Sequence, residues 1–465
     1  MDRPNREVLA RMPLAEGAWS MWRHITDDGE LQRVWDRHRG ACYDRVITFP
    51  MMVRLIAEAL VTRESGHQAI QGLIESGELT ATIQAAYGKL GRLPIAVSEE
   101  FFAAGAARLW ELFDPWACWK GPRSVARFRV LLVDGKAIKN VPRRLISTRG
   151  IKGGLLAARS LVVQDWATGL AIGFGADADG EANEVRHMQR VVEAVRGRVA
   201  GLRLWILDRA FANLVQMNGL LVGGDHFLTR YAARVAFLRD SSRPARTGRD
   251  EQGRSFTETW GWLGSAARAD RLFVRRIEVR RWGTDSLVIL TSLLDADEFP
   301  ADDLLWFYGQ RWGIESMFQQ VTEVFGLQHL IGSTPQAGVF QFAFCLLLYN
   351  MLQVLRGYVA EARDLQPDQI SSEKLFRETR RQLTAWNVVV DPQWTMKYFA
   401  PQTAVTALRE KLTDLASRQW SNTWLKSPPQ RIHRKTPLKK SRHTHHSVQR
   451  LMKAHHDAQT TPTTS

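Results

Sequence analysis

Two short apolar runs, each ending in an aspartate, constrain this chain most. FRVLLVDG (residues 128–135) and LRLWILDR (residues 202–209) are rich in branched residues and bounded by turn signals. Runs of this kind read as strands buried on both faces. Two further strands lie between them, Ala158 to Gln164 and Leu170 to Gly175, joined by a turn over Asp165 to Gly169. A helix follows from Asn183 to Arg196, with Val185, Met188, Val191, Val192 and Val195 on one side. After the second run come a helix, Phe211 to Leu221, and a strand, His226 to Thr229. This order predicts an α/β layer fold, a mixed sheet flanked by helices. Ligands in such folds gather beyond the carboxyl ends of the strands, where Asp134 and Asp208 stand.

The flanking stretches differ in pattern. Residues 1–120 read as a helical region, with periodicity clearest over Met51–Leu60 and Phe101–Phe113. Residues 231–300 read as a β-rich insertion: a polar loop, Ser241–Arg254, then strands over Ser255–Trp262, Leu272–Arg280 and Ser286–Leu293. A long helix is predicted from Asp302 to Phe325, another over Gln336–Gly357, and more helix to about Ser417. The most apolar run, Val339–Leu355, is interrupted by Gln341, Asn350 and Gln353, which predicts a buried core helix rather than a membrane span. The resulting organisation is a helical N-terminal region (1–120), an α/β domain (121–355), a helical C-terminal region (356–420) and a basic tail (421–465).

Charge narrows the partner. The chain has 63 Lys and Arg against 48 acidic residues, a formal charge of +15. That excess favours a polyanionic partner, either nucleic acid or an anionic membrane face. Between Lys426 and Asp457 there are nine Lys or Arg, a single acid and half of the 12 histidines, broken by prolines. This composition predicts a disordered basic tail, either a solubilising end or an arm touching DNA phosphates. Three widely spaced cysteines, Cys42, Cys118 and Cys345, suit a reducing, cytoplasmic setting, and the polar N-terminus carries no secretory pattern. The acids Asp177, Asp179, Glu181 and Glu184 lack calcium-loop spacing and read as a turn with helix capping.

The helix from Asp302 carries the chemistry. At about 100° per residue, Tyr308, Arg311, Glu315, Gln319 and Thr322 share one face, while Ile314, Phe318, Val321 and Phe325 form the apolar stripe that anchors it. Glu315 therefore projects beside a tyrosine and an arginine. Taken singly, Asp134 and Asp208 read equally well as turn formers, and Glu315 as a solvated helix position. Together, three carboxylates meeting at one point persist only if cations neutralise them. Oxygen-only ligation suits Mg²⁺ or Mn²⁺, and two such ions about 4 Å apart can clamp the attacking and leaving oxygens of a phosphodiester.

With these residues in view, the chain resembles a DDE transposase of a bacterial insertion sequence, the group with a Tyr-x2-Arg-x3-Glu-x6-Lys pattern. The pattern reads Tyr308, Arg311 and Glu315 in YGQRWGIESMFQQVT, and the paired aspartates match as Asp134-Gly135 and Asp208-Arg209. The likeness spans roughly residues 45–355. It implies a ribonuclease H-like core with a β-rich insertion ahead of the glutamate helix. It also implies that Asp134, Asp208 and Glu315 are catalytic and hold two metal ions, and that Tyr308 and Arg311 bind phosphates at the cut. Lys136 and Arg209 flank the acids and could meet phosphate or be ordinary solvated charges. Trp282 (with Trp260 and Trp262) is a candidate for stacking a flipped base, against a sheet-packing role. The family lysine falls at Thr322, which can hydrogen-bond a phosphate but brings no charge.

The resemblance implies a DNA transposase that cuts terminal inverted repeats and joins the 3′ ends to target DNA, as a homodimer or larger assembly on DNA and without a membrane. Two alternatives stand beside it. One is a catalytically inactive, transposase-derived DNA-binding protein, which Thr322 motivates. The other is a metal-dependent nuclease without strand transfer.

Overall fold

A computed structural model describes residues 3–61, 66–113, 120–250, 252–280, 286–325, 327, 329–399, 404–427 and 444–460. The N-terminal stretch forms α1 (Arg3–Ala10), α2 (Pro13–Ile25), α3 (Asp28–His38), α4 (Phe49–Val61), α5 (Gly66–Glu75), α6 (Ile83–Leu90) and α7 (Ile95–Glu111). Side-chain caps start several of these helices: Asp27 accepts from the Glu30 amide and Thr82 from the Ala85 amide.

The central stretch alternates as β1 (Phe128–Lys139), β2 (Gly154–Asp165), β3 (Ala171–Asp177), α8 (Met188–Arg196), β4 (Leu202–Leu207), α9 (Leu214–Val222) and β5 (His226–Arg230). Strands β6 (Phe237–Arg239), β7 (Arg246–Arg249), β8 (Ser255–Leu263), β9 (Leu272–Val279) and β10 (Leu287–Thr291) follow. Helices α10 (Ala301–Gln310), α11 (Trp312–Glu323), α12 (Pro335–Glu361), α13 (Ser372–Val389), α14 (Pro392–Tyr398) and α15 (Val405–Arg418) come next, then β11 (His445–Ser447) and α16 (Val448–Thr460).

All eleven strands belong to one mixed sheet, in the order β11-β2-β1-β4-β5-β10-β9-β8-β6, with β3 on β2 and β7 on β8. β1 is antiparallel to β2 and parallel to β4, which is parallel to β5. The strand-rich stretch after residue 231 continues this sheet, because β10 pairs directly with β5. The polar segment 241–254, expected as a loop, contains β7. Arg246 lies opposite Glu258 and Thr247 opposite Thr257, and Asp250 closes the hairpin by accepting from the Gln252 and Arg254 amides. Cross-strand pairs of this kind stabilise a strand whose own sequence is too polar to announce it.

The apolar core is continuous from the N-terminal helices through the sheet into α12, α13 and α15. α12 is apolar all round and buried, as such a helix must be. It is the one helix among the described residues long and apolar enough to cross a membrane, and its apolar window is wholly covered by the protein. The three polar interruptions behave differently. Asn350 accepts from the Ala171 amide and donates to its carbonyl, continuing β3's hydrogen bonding. Gln341 serves the backbone at His329 and Ile331. Gln353 is buried with both amide atoms unpaired, and nothing in the structure accounts for that.

The expected disordered tail is ordered at its far end. β11 adds in parallel to the N-terminal half of β2, opposite Gly154–Leu156. Arg450 of α16 reaches Asp179 and Glu181, the Ser447 amide donates to Glu181, and the Ser447 hydroxyl accepts from the Gly180 amide. The acidic turn therefore has a use that composition concealed: with Asp177 paired to Arg186 and Glu184 to Arg159, all four acids face cations of the chain itself. Residues 428–443, the most basic part of the tail, lie outside the described residues.

Candidate active site

The site forms where the central parallel strands separate. β1 and β4 pair in register up to Val133 and Leu207, and β4 and β5 up to Leu207 and Thr229. The next residues along are Asp134, Asp208 and Arg230, side by side across three strands about 4.8 Å apart. β1 does not end at Asp134 as expected. It runs on to Lys139, because β2 continues to pair with it after β4 has stopped. Asp134 is thus fixed by an antiparallel ladder on one side and open to the crevice on the other. Asp208 leads into a short 3₁₀ turn, Arg209–Phe211, and its carbonyl accepts from the Phe211 amide and the Thr229 hydroxyl.

The third carboxylate arrives from above the sheet. The helix expected over 302–325 is two helices, α10 and α11, broken at Arg311. Gly309 and Gly313 flank the break, and both weaken helix. The chain tightens there through three-residue bonds, Arg311 amide to Tyr308 carbonyl and Ile314 amide to Arg311 carbonyl, each 3.3 Å. Ile314, Met317, Phe318 and Val321 bury one side of α11, which packs on β1 and α12. That anchoring leaves Glu315 over the strand ends.

Arg311 is the hub. It shares the polar helix face with Glu315 yet is buried, and its Nη1 lies 2.9 Å from Glu315 Oε1 and 3.7 Å from Asp134 Oδ2. Burial alone would lower its pKa, but Asp208, Tyr308 and Glu315 together raise it above the ordinary value. Asp134 is pushed up to about 6, first by burial and further by Asp208 and Glu315, against the lowering pull of its hydrogen bond from the Gly135 amide and of Arg311. The buried Tyr308 phenol is also raised, by burial and Asp208, while Arg311 and Arg230 oppose.

The other expected contacts are scattered around this hub. Lys136, on the same face of β1 as Asp134, extends over the Phe318 ring at 5.5 Å, and burial lowers its pKa. Arg209 is exposed beside Asp208. The Thr322 hydroxyl donates to the Phe318 carbonyl of its own helix, 2.7 Å away. Trp260 is buried, its indole N–H bonded to the Leu294 carbonyl. Trp262 stands on the distal part of the sheet, and Trp282 lies outside the described residues. Two residues escaped the sequence reading. Arg230 enters only through strand register. Trp312 follows the hub directly, is 64% exposed, and holds its ring 5.3 Å from the Arg311 guanidinium; a large aromatic on the open side of the catalytic-looking helix was the available signal.

The donor set is three carboxylates, the oxygen chemistry that Mg²⁺ or Mn²⁺ prefers. In this arrangement, no three acidic, histidine or cysteine side chains among the described residues draw close enough to hold a metal ion. The cation among the acids is the guanidinium of Arg311.

Among known families, the match falls on this region. Residues 127–351, slightly under half of the chain, enclose every residue of the hub. They match the transposase DDE domain. The DDE-domain match begins just before β1 and ends within α12, so it takes in all three carboxylates and the strands that carry them. No curated protein matches the chain. Seven chains of known structure are similar to it. One is the piggyBac transposase in a synaptic complex with hairpin DNA, 14% identical, with 83% of this chain and 80% of that chain covered and a TM-score of 0.36.

Proposed function

We propose that this protein is a DNA transposase of the insertion-sequence type with a ribonuclease H-like core, which cuts transposon ends and joins them to new DNA. The observation that carries the reading is that Asp134 and Glu315 both face Arg311, with Asp208 on the strand next to Asp134 and acting on the same guanidinium, inside the stretch that matches the transposase DDE domain. Asp134, Asp208 and Glu315 would hold divalent ions, Mg²⁺ or Mn²⁺, two in number, in the place Arg311 now takes. Such ions supply Lewis-acid stabilisation of a phosphodiester undergoing in-line displacement.

The chain's own residues do the rest. Arg311, freed from Glu315, presents a planar pair of N–H donors suited to bidentate phosphate contact. Arg230 and Tyr308 line the same crevice, and Lys136 and Arg209 extend the positive rim. Trp312 offers an open ring on which an unpaired base can stack. In the first displacement water attacks the phosphorus at the transposon end, leaving a 3′ hydroxyl and a 5′ phosphate. In the second that 3′ hydroxyl attacks a target phosphodiester, forming a new bond and releasing a target 3′ hydroxyl. Holding two ends requires at least a dimer on DNA.

Thr322 favours one rival, a DNA-binding protein without catalysis, since its hydroxyl is committed to the helix and it brings no charge. Nicking assays decide. The purified protein with a duplex carrying the element's terminal repeat is expected to release a 3′ hydroxyl end only when Mg²⁺ or Mn²⁺ is present. Asp134→Ala, Asp208→Ala or Glu315→Ala should abolish cleavage and keep end binding. Binding without nicking in the parent would establish the rival, and nicking without joining a plain nuclease.

A further inference from the structure

The far end of the sheet carries a second cationic surface. On β8 and β9, Trp262 and Phe273 are directly opposed, with ring centroids 5.2 Å apart and one ring edge-on to the other. Each ring has a guanidinium on it: Arg271 sits 4.5 Å from the Trp262 centroid and Arg243 5.2 Å from that of Phe273. Trp262 remains 37% exposed, as does Leu238 opposite it on β6 at 39%. Arg239, opposite Gly261, faces the other side of the sheet; a Cβ at Gly261 would come within 2.3 Å of the Leu238 carbonyl oxygen, so only glycine lets β6 approach. Among the described residues Arg271 and Arg239 have no carboxylate partner, and Arg243 has only Asp240 at 3.9 Å.

We propose that this aromatic-backed arginine pair, Arg243 on Phe273 and Arg271 on Trp262, is a second DNA-backbone contact surface outside the acid site. A guanidinium held flat on a ring keeps its N–H edges outward and loses less freedom when it grips an anion. A polyanion with regularly spaced phosphates is what two adjacent arginines, one without a carboxylate partner and one with only a distant one, attract. The position suits one duplex serving both places. In register, Arg230 aligns through Ile289 and Ile277 with Glu258, three strands away, and Trp262 lies four residues further along β8. At sheet spacings that is roughly 20 Å, about six base pairs of duplex at 3.4 Å per step. The inference rests on the DNA reading of the acid site but not on its catalysis.

The test is binding in EDTA of a duplex of roughly 40 base pairs, followed from about 50 to about 200 mM salt. For Arg243→Ala/Arg271→Ala, the slope of log affinity against log salt should fall by about 2, so the affinity lost across that range is about tenfold smaller than in the parent. Trp262→Ala, which leaves both charges but frees Arg271, should weaken binding several-fold with the slope kept, and Trp262→Phe should restore it. Melting temperatures of the variants within a few degrees of the parent exclude misfolding as the cause. A parent slope in the double variant overturns this proposal alone, leaving the acid-site reading intact. A parent that binds no duplex overturns both.

Discussion

Arg311 and Glu315, one turn apart at the start of α11, are bonded through Nη1 and Oε1 at 2.9 Å, and the same nitrogen faces Asp134. One guanidinium thereby answers two carboxylates, and Asp208 also favours its charge. Arg311→Ala should let them repel and cost about 2 kcal/mol of stability without metal, less than a fully buried pair because Glu315 is partly solvated. The same change is expected to tighten Mn²⁺ binding, since the competing cation is gone. Thermal melting and calorimetric Mn²⁺ titration of parent and variant check both halves; weaker Mn²⁺ binding would mean that Arg311 supports the ion rather than standing in for it.

The Asp134 carboxyl titrates near 6 in the folded protein, above its ordinary value of 3.8. A raised folded pKa favours the protonated form, so its contribution to stability is present below about pH 4 and is lost as pH rises through 6. Asp134→Asn keeps the neutral form and should stabilise the metal-free protein by about 2 kcal/mol at pH 8 while changing little at pH 4. Chemical denaturation across that range is the measurement. Divalent-ion binding by the parent should strengthen from pH 5 to 7, as the carboxylate becomes available.

Trp312 is mostly exposed, and its ring lies against the Arg311 guanidinium. Trp312→Ala should therefore leave the melting temperature unchanged and weaken binding to duplexes with an unpaired base at the cut by about 1–3 kcal/mol. Fully paired duplexes should be less affected. Equal loss on both substrates would argue against stacking.

The C-terminal arm is held by three residues of strand, the Ser447 bonds to Gly180 and Glu181, the buried Val448 with Leu451 and Met452 against the core, and the two Arg450 ion pairs. Arg450→Glu places like charges against Asp179 and Glu181 and should release the arm to limited proteolysis, with about 1 kcal/mol or less lost from the body. Reversing Asp179 and Glu181 to Lys in the same chain should restore protection.

Arg275 is wholly buried, bonded to Glu258 and to the Phe299 carbonyl just before α10. Arg275→Ala leaves Glu258 buried and unpaired and should cost about 3–5 kcal/mol. Because it ties the sheet to the start of the helix pair carrying Glu315, denaturation midpoint and end cleavage should fall together.

Local chemistry along the chain was enough to place the parallel strands, the carboxylates that follow them, the buried α12 and the anchored face of α11, because strand and helix periodicities are written in consecutive residues. Which carboxylates share a cation was not. Arg311 looked like one polar residue of a helix face; burying it needed the break between Gly309 and Gly313 and the sheet beneath. Arg230 gained its place only through register with Thr229 and Leu207. The tail shows the same division: composition correctly reports its charge, while the order of its far end depends on a free stretch of β2 edge and on acids some 270 positions earlier. Sequence alone determined the core strands and helices whose periodicity is local and which acids could do chemistry. Tertiary structure alone decided which of them meet, since that depends on strand pairing and helix docking between residues far apart, where no local pattern carries the information.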